Sequence, residues 1–405
     1  MAENFLIKDG VIKKVKLAAA ELVIPEGVTA IEKTVFDTQH SILRSIVIPS
    51  SMKRISAFAF KDCRKLETVV ITEGVETIGS NAFEGCKSLK SIVIPKSMKE
   101  IGNHAFCDCS SLKSIFIPEG MTTIGDWAFE NCESLDSIVI PEGMKKIGDY
   151  AFKGCTALES VSLPEGMSRI GFDVFYDCTA LKSVDIPNSV TRIDSGVFSG
   201  CKSLKSVVIP DVVTEIGSSA FSRCISLESI VIPNSVTEIG DAVFAGCCIL
   251  PSIDIPLGVT KIERNTFKDC QSFESVVIPE GVTEIEESAF ERCTSLKSIV
   301  IPSSVTKIGD WVFNTCKSLV SVVIPDSVTE CGSYVFADCQ SLESIVLSAN
   351  LKTIGEKFFT LCPSLTSVEF RGTKAQWSKV KKGKNWSGGI PAKRLKCSDG
   401  EARIL

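Results

Sequence analysis

The sequence predicts an α/β repeat solenoid with a 23-residue period and a parallel β-sheet on its concave face. Fourteen cysteines recur every 23 residues, and a phenylalanine precedes each of them by three positions. These cysteines are Cys63, Cys86, Cys109, Cys132, Cys155, Cys178, Cys201, Cys224, Cys247, Cys270, Cys293, Cys316, Cys339 and Cys362. A period of this length is typical of solenoids, in which each coil buries its apolar side against the next coil.

The strand of each coil is predicted by alternation, as residues 112–118 illustrate. Ile115 and Ile117 are inward positions separated by an outward residue, which is the two-residue period of a half-buried strand. Pro118 cannot donate a backbone hydrogen bond, so we expect the strand to end there. Fifteen such segments can be counted, from residues 43–48 to residues 365–370, and residues 22–36 form an earlier half-coil.

The return side of the coil follows the proline. Met121 and Ile124 predict a second inward pair, and Gly125 predicts a tight bend. Ala128 and Phe129 predict a short helical turn that closes at the cysteine. The phenylalanines of successive coils are then expected to form an aromatic row inside the solenoid.

Three parts are predicted along the chain: an N-terminal cap with the first half-coil (1–40), the solenoid (41–370) and a basic C-terminal cap (371–405). In the last part, residues 373–380 predict a short helix with Thr373 as its cap and Trp377 facing inward. Residues 398–400 predict the turn of a hairpin. We interpret both elements as a lid over the last coil, with an independent binding module as the alternative.

Composition narrows the function classes. The 405 residues carry a net charge of −5, which disfavours general binding to nucleic acids or anionic membranes. Residues 371–405 contain ten Lys or Arg and two Asp or Glu, so this end either docks on anions or is a solvated cap.

The longest apolar runs are too short to span a bilayer, so we predict no membrane insertion. The first twenty residues lack the apolar core of a secretory signal, which leaves a cytoplasmic chain or a leader removed before this numbering begins.

The cysteine pattern allows two interpretations. Free cysteine is a good small core residue, so the fourteen in-phase thiols are expected to be buried and reduced, with disulfides along the same row as the alternative. Four further cysteines lie outside the period: Cys107, Cys248, Cys331 and Cys397. Cys331 replaces an isoleucine of the repeat and is expected in the core. Pairs such as Cys107 and Cys109 are a weak metal signal, and we predict no metal site.

The sequence contains few of the residues and motifs that catalysis requires. The sequence has two histidines, His40 and His104, and neither shares a local motif with a serine or cysteine nucleophile. His104 is expected to be exposed on the convex side. Phosphate-binding glycine loops and zinc-spaced clusters are also missing from the sequence. We therefore predict a protein that is not an enzyme and needs no cofactor.

One outward strand position is apolar in eleven of fifteen coils, although it faces solvent. The row runs through Val47, Val70, Val93, Phe116, Val139, Ser162, Asp185, Val208, Val231, Asp254, Val277, Val300, Val323, Val346 and Glu369. A long apolar stripe on an open sheet indicates a partner, whereas valine is also simply a good strand former. Because polar residues break the row at Ser162–Asp185 and at Asp254, we expect two or three separate patches. The predicted partner-binding residues are Val93, Phe116, Val139, Asp185, Val208, Val231, Asp254, Val277, Val300, Val323 and Val346.

The repeat L-x-x-I-x-I-P-x-x-V-x-x-I-G-x-x-A-F-x-x-C resembles the bacterial leucine-rich repeats of the BspA-like, or Treponema-type, class over about residues 20–370. The opening residues 5–11 and the tail around Trp377 and Trp386 are similar to the ends of such proteins. The resemblance implies a right-handed leucine-rich-repeat coil. It also implies a protein-binding role, often on the surface of host-associated microbes and including adhesion to host matrix proteins.

Together these observations predict a non-catalytic protein-binding scaffold or adhesin that acts through the concave sheet face. The partner is expected to be a protein, and the resemblance implies a host matrix protein. The chain itself is expected to be a monomer on the cell surface or secreted, with a cytoplasmic location as the alternative. The alternative is a structural protein that assembles with itself and has no foreign ligand.

Overall fold

The computed structural model describes residues 2–404, and the chain divides into two compact units, residues 1–204 and residues 205–405. Each unit is a stack of coils that repeat every 23 residues, with two rows of short parallel strands in each unit. We call the longer strands of each coil face strands and the two-residue strands return strands. The division into an N-terminal cap, a solenoid and a C-terminal cap, with boundaries at 40/41 and 370/371, stays a prediction.

The face strands of the first unit pair in parallel, and from the strand at Ser45 onward each residue lies opposite the one 23 positions later, whereas Glu21–Val23 pairs with residues 24 positions later. Ser114 pairs with Ser137, Ile115 with Ile138 and Phe116 with Val139. Ile115 is buried while the residues on either side of it are exposed, so the alternation read from the sequence is confirmed. The face strands of this unit are Glu21–Val23, Ser45–Ile48, Thr68–Ile71, Ser91–Val93, Ser114–Phe116, Ser137–Val139, Ser160–Ser162 and Ser183–Asp185.

The return strands form a second parallel row that the sequence analysis did not predict. Ile124 pairs with Ile101 and with Ile147, one coil away on either side. The inward residues of this stretch were expected, but their pairing into strands was not. In the first unit the return strands are Ala30–Ile31, Arg54–Ile55, Thr77–Ile78, Glu100–Ile101, Thr123–Ile124, Lys146–Ile147, Arg169–Ile170 and Arg192–Ile193.

The second unit repeats the same arrangement. Its face strands are Ser206–Val208, Ser229–Val231, Ser275–Val277, Ser298–Val300, Ser321–Val323, Ser344–Leu347 and Ser367–Phe370. Its return strands are Glu215–Ile216, Glu238–Ile239, Lys261–Ile262, Glu284–Ile285, Lys307–Ile308, Glu330–Cys331, Thr353–Ile354 and Lys381–Lys382.

One of the fifteen predicted face strands does not form. Between Val231 and Ser275, the coil contributes a single bridge from Asp254 to Val277. In the preceding coil the equivalent backbone N–H, that of Glu228, donates to the carbonyl oxygen of Lys205 at 2.8 Å. Pro251 occupies this position here and has no N–H to donate, which explains the interruption.

The third side of each coil is a hydrogen-bonded turn rather than the predicted helical turn. Between residues 126 and 132, alternate N–H groups donate to the next coil and the others donate within the turn. Those to the next coil run from Trp127 to Asp149 (2.9 Å), from Phe129 to Ala151 (2.8 Å) and from Asn131 to Lys153 (2.7 Å). Trp127 and Asn131 have positive φ angles of 53° and 56°, which no α-helix tolerates. The helical prediction is therefore wrong, because bonds to the neighbouring coil replace those of a helix.

Gly125 has a different role from the one predicted. It is not among the residues with positive φ. A Cβ atom at this position would lie 2.5 Å from the backbone nitrogen of Asn103 in the preceding coil. Glycine is therefore needed here because two backbones approach each other closely, and not because the chain bends sharply.

The core of each unit is a ladder of aromatic rings and thiols. Phe129 is fully buried and its ring stacks on those of Phe106 and Phe152, with centroids 5.4 Å apart in both cases. All eighteen cysteines are free thiols, and the fourteen in-phase ones are buried, as predicted. From the coil of Phe60 onward, each coil thus adds one ring and one thiol to the core, and the first coil adds the ring of Phe36 alone.

The ends of the chain carry different elements. At the N-terminus the 3-10 helix Ala2–Asn4 leads into the antiparallel strands Phe5–Lys8 and Val11–Val15, and a second 3-10 helix, Asp37–Gln39, lies in the first coil.

At the C-terminus the helix Lys374–Lys379 begins after Thr373, whose hydroxyl oxygen accepts the N–H of Gln376 in a capping box. The strands Arg394–Cys397 and Gly400–Arg403 form the predicted hairpin. Trp377 is buried, so the helix and its orientation are confirmed.

Candidate partner-binding face

In each coil one outward residue lies between the two buried positions on the strand side, as Phe116 lies between Ile115 and Ile117, and these residues form one row in each unit, which we call the strand-face row. In the first unit it consists of Val23, Val47, Val70, Val93, Phe116, Val139, Ser162 and Asp185. In the second unit it consists of Val208, Val231, Asp254, Val277, Val300, Val323, Val346 and Glu369. Parallel pairing in register places consecutive members side by side, so apolar neighbours merge into patches.

The largest patch of the first unit is centred on an aromatic residue. Val93, Phe116 and Val139 are 61%, 66% and 71% exposed, and we call these three residues the Phe116 patch. Ser162 and Asp185 end it on one side. On the other side the exposure falls through Val70 to Val47, which is half-buried.

The second unit carries two apolar stretches separated by Asp254. Val208 and Val231 are 80% and 75% exposed, and Val277 and Val300 are 71% and 72% exposed. The exposure drops at Val323. Val346, which the sequence predicts to bind a partner, is half-buried and pairs with Glu369, so it offers less surface than its neighbours.

Charged residues border the row on the side where the face strands begin. Lys90 lies 2.8 Å from Glu67 in the preceding coil, and Lys182 lies 2.8 Å from Glu159 in the same way. In the second unit Lys297 and Glu274 form an equivalent pair at 3.0 Å. Such exposed pairs contribute about 0–1 kcal/mol each, so they are a polar rim more than a source of stability.

Acidic turns border the row on the side where the face strands end. The Glu73 carboxylate accepts the backbone N–H groups of Lys96 (3.0 Å) and Ser97 (3.2 Å) and so orders the turn of the next coil. Glu119 and Glu142 occupy the equivalent turns beside the Phe116 patch and are exposed. The patch is thus an apolar centre with two acidic residues, Glu119 and Glu142, and one basic residue, Lys96, along this edge.

The two histidines lie in separate environments. His40 Nε2 lies 3.6 Å from the Asp37 carboxylate one turn earlier in the chain. His104 is half-buried rather than exposed as predicted, because its ring stacks on Trp127 at 4.9 Å with an interplanar angle of 2°. Trp127 stacks in turn on Tyr150 at 5.0 Å. The sequence analysis missed this column, although its members recur at the 23-residue period.

The four off-phase cysteines differ in burial. Cys107, Cys331 and Cys397 are buried, and Cys248 is half-buried. Cys331 lies in a return strand between Ile308 and Ile354, which confirms its predicted place in the core. Burial raises the pKa of the Cys331 thiol to about 12, so it is protonated at neutral pH.

Across residues 2–404, every helix is too short or too polar to cross a bilayer.

Comparison with known proteins identifies the repeat. The profile of the BspA-type leucine-rich repeat region matches residues 29–159, 145–274 and 260–379. A leucine-rich repeat protein from Bacteroides ovatus is 31% identical, with 97% of each chain covered and a TM-score of 0.74. A leucine-rich cell surface protein from Faecalibacterium prausnitzii is 32% identical over 73% of this chain and 92% of that one, with a TM-score of 0.52. A search of curated proteins found no match. The repeat, the parallel-strand coil and these similarities together show that the chain belongs to the BspA-type leucine-rich repeat family.

Proposed function

We propose that the protein is a non-catalytic scaffold that binds a foreign protein through the strand face. The observation that carries the proposal is the exposed apolar row, above all the Phe116 patch with its three side chains more than 60% exposed. Leucine-rich repeat scaffolds of this kind typically bind proteins. Repeats supply the surface, and the variable outward residues supply the specificity.

Physical chemistry favours a protein over a small ligand at this face. The side chains of the row are exposed on a sheet surface, whereas small-molecule sites are pockets that enclose most of the ligand. Burial of apolar surface contributes about 25 cal/mol per Å², and buried aromatic residues often dominate the energy of protein interfaces. Phe116 is the aromatic member of the row, and Glu119 and Glu142 at its edge would pair with basic residues of the partner.

The partner and the location form the finer part of the proposal. We place the protein at the cell surface, with a host matrix protein as its ligand. The support is the family resemblance and the similarity to the F. prausnitzii protein described as a cell surface protein. Self-assembly through the same apolar patches is the competing outcome that the experiment must separate.

The test uses fibronectin, laminin and collagen, immobilised one at a time, and the full chain. The variant Phe116→Asp/Val139→Asp replaces two of the three patch side chains with carboxylates, and Ile225→Asp/Ile249→Asp is the matched control. Ile225 and Ile249 are 43% and 45% exposed and lie outside the strand-face row, in the segment that directly follows the in-phase cysteine of a coil. Charged residues such as Lys202 and Glu133 occupy the position of Ile225 in other coils, so the control is expected to fold.

We expect the patch variant to bind at least tenfold more weakly than the wild type, and the control to bind as the wild type does. Circular dichroism of both variants checks that the fold is intact. Equal binding of the patch variant and the wild type would refute the strand face as the binding site. A wild type that binds none of the matrix proteins and sediments as a large assembly, dispersed by the patch variant, would favour self-assembly instead.

A further inference from the structure

Three chemically different ligand groups meet on the turn side of the first unit. The ring nitrogen of His104, the Sγ atom of Cys107 and a carboxylate oxygen of Glu130 all lie within 4.8 Å of one another. The Cys107 Sγ lies 3.6 Å from Oε2 of Glu130. Ligand atoms bound to one tetrahedral Zn²⁺ ion are separated by roughly 3.3–3.8 Å, so small side-chain movements would bring the three atoms onto one ion.

The backbone delivers these groups from two adjacent coils. His104 and Cys107 share one turn at a spacing of three residues, and Glu130 occupies the position of Cys107 in the next coil. The positive φ of His104 and its stacking on Trp127 define the plane of the imidazole. Because the nitrogen lone pair lies in the ring plane, stacking on the ring face leaves it available to a ligand.

The carboxylate is also held in place. Lys153 lies 3.1 Å from Oε1 of Glu130, which leaves Oε2 directed towards the thiol. A partner of this kind outside the ligand set orients a metal-binding group and neutralises part of its charge. The side chain of Glu130 is 16% exposed, so the cluster lies close to the surface and is open to an entering ion.

The neighbouring carboxylates are already engaged. Glu84 accepts the amide of Asn81 at 2.6 Å and pairs with Lys61 at 2.9 Å. Asp108 accepts the amide of Asn131 at 3.0 Å. They add negative charge around the cluster while their oxygens serve other partners, so Glu130 is the carboxylate that faces the thiol.

The cluster is a departure from the repeat. The position of His104 holds Asn81 in the coil before it and Trp127 in the coil after it. The position of Cys107 holds glutamate in both neighbouring coils and serine at Ser199 and Ser222. His104 and Cys107 are therefore the departures from the repeat, whereas Glu130 is a residue that the repeat also holds at Glu84.

We propose that His104, Cys107 and Glu130 bind a borderline-soft divalent metal ion of the Zn²⁺ class. One nitrogen, one sulfur and one oxygen ligand suit Zn²⁺, whereas Mg²⁺ and Ca²⁺ prefer oxygen ligands alone. With three protein ligands at a largely buried site that reaches the surface at His104 and Glu130, water or a partner's side chain completes the tetrahedron. The ion would cross-link two coils. The sequence signal that could have indicated it is His-x-x-Cys followed by a glutamate one repeat after the cysteine.

The test titrates the full-length, tag-free reduced protein with Co²⁺ and Zn²⁺. A thiolate bound to Co²⁺ gives a charge-transfer band in the near ultraviolet, and tetrahedral Co²⁺ gives intense visible bands. The variants Cys107→Ser and His104→Asn use residues that the repeat itself places at these positions, and Glu130→Gln keeps the shape of the side chain. Cys248→Ser is the matched control, since Cys248 is the half-buried cysteine outside the cluster.

We expect one ion per chain in the wild type and in Cys248→Ser. The charge-transfer band should disappear in Cys107→Ser, and the affinity should fall at least tenfold in His104→Asn and in Glu130→Gln. Zn²⁺ should raise the melting temperature of the wild type and of Cys248→Ser, but not that of Cys107→Ser. A wild type without a charge-transfer band at saturating Co²⁺, or a band that survives in Cys107→Ser, would overturn the proposal and leave a thiol–carboxylate hydrogen bond.

Discussion

The Sγ atom of Cys132 lies 3.3 Å from the carbonyl oxygen of Phe106, which belongs to the preceding coil. The same carbonyl also accepts the N–H of Cys109 in its own turn, at 3.1 Å. Equivalent thiol contacts recur from Cys86 to Cys201 in the first unit and from Cys247 to Cys362 in the second unit. Cysteine is therefore both an apolar filler and a weak hydrogen-bond donor that ties successive coils together.

The first prediction concerns thiol reactivity. The fourteen in-phase thiols should not react with a bulky thiol reagent such as 5,5′-dithiobis(2-nitrobenzoate) in the native state at pH 8, because they are buried, and burial raises the pKa of thiols such as Cys132 and Cys247. Cys248 is half-buried and should be among the first to react. All eighteen should react after denaturation without a reductant. In-phase thiols that react in native protein, or that stay silent after unfolding, would contradict the packing described here.

The second prediction concerns alkaline pH. Burial holds the pKa of the Cys132 thiol well above 9.0, its value in an unfolded chain. Because the folded pKa is raised, the unfolded state binds fewer protons above pH 9, so the stability that Cys132 contributes is complete below pH 9 and is lost as pH rises. Between pH 8 and pH 10 the loss is about 1.4 kcal/mol for this one thiol.

The measurement compares wild type with Cys132→Ala by chemical denaturation in the presence of a reductant. At pH 8 the variant should be less stable, since it loses the contact with Phe106 and leaves a small cavity. At pH 10 the difference in the free energy of unfolding should narrow by about 1.4 kcal/mol. A difference that does not change with pH would show that the thiol is already accessible in the folded state.

The third prediction compares two phenylalanines only thirteen residues apart. Phe129→Ala should destabilise the first unit by roughly 3–5 kcal/mol, because the ring is fully buried between two stacked rings. Phe116→Ala should change stability by less than about 0.5 kcal/mol, because that ring is exposed on the strand face. Thermal melts and limited proteolysis of the two variants provide the comparison. Comparable melting temperatures for the two would mean that the assignment of inward and outward positions is wrong.

Much of the fold could be predicted from the residues alone because every position recurs at a fixed period. Ile115 and Ile117 are buried and Phe129 joins an aromatic column, as the repeat indicated, whereas the face strand ends at Phe116, before Pro118 is reached. The capped helix after Thr373 was also predictable, since its signals are local. The outward position of the strand-face row followed from the same alternation, and its role in binding stays a prediction.

Other features needed the tertiary structure, because they arise from contacts between coils and leave little local trace. The return strands are two residues long, too short for any alternation, and exist because their backbone groups pair with the coils on either side. The positive φ angles at Trp127 and Asn131 follow from hydrogen bonds to the next coil.

Separation along the chain also hid the cluster of His104, Cys107 and Glu130 that we propose as a metal site. Glu130 is 26 residues from His104 in sequence and within 4.8 Å of it in space. The sequence by itself determined the period, the core and the outward row, since those depend on which residue stands at each repeat position. The tertiary structure decided which departures from the repeat come together, because stacking in register makes neighbours of residues one coil apart.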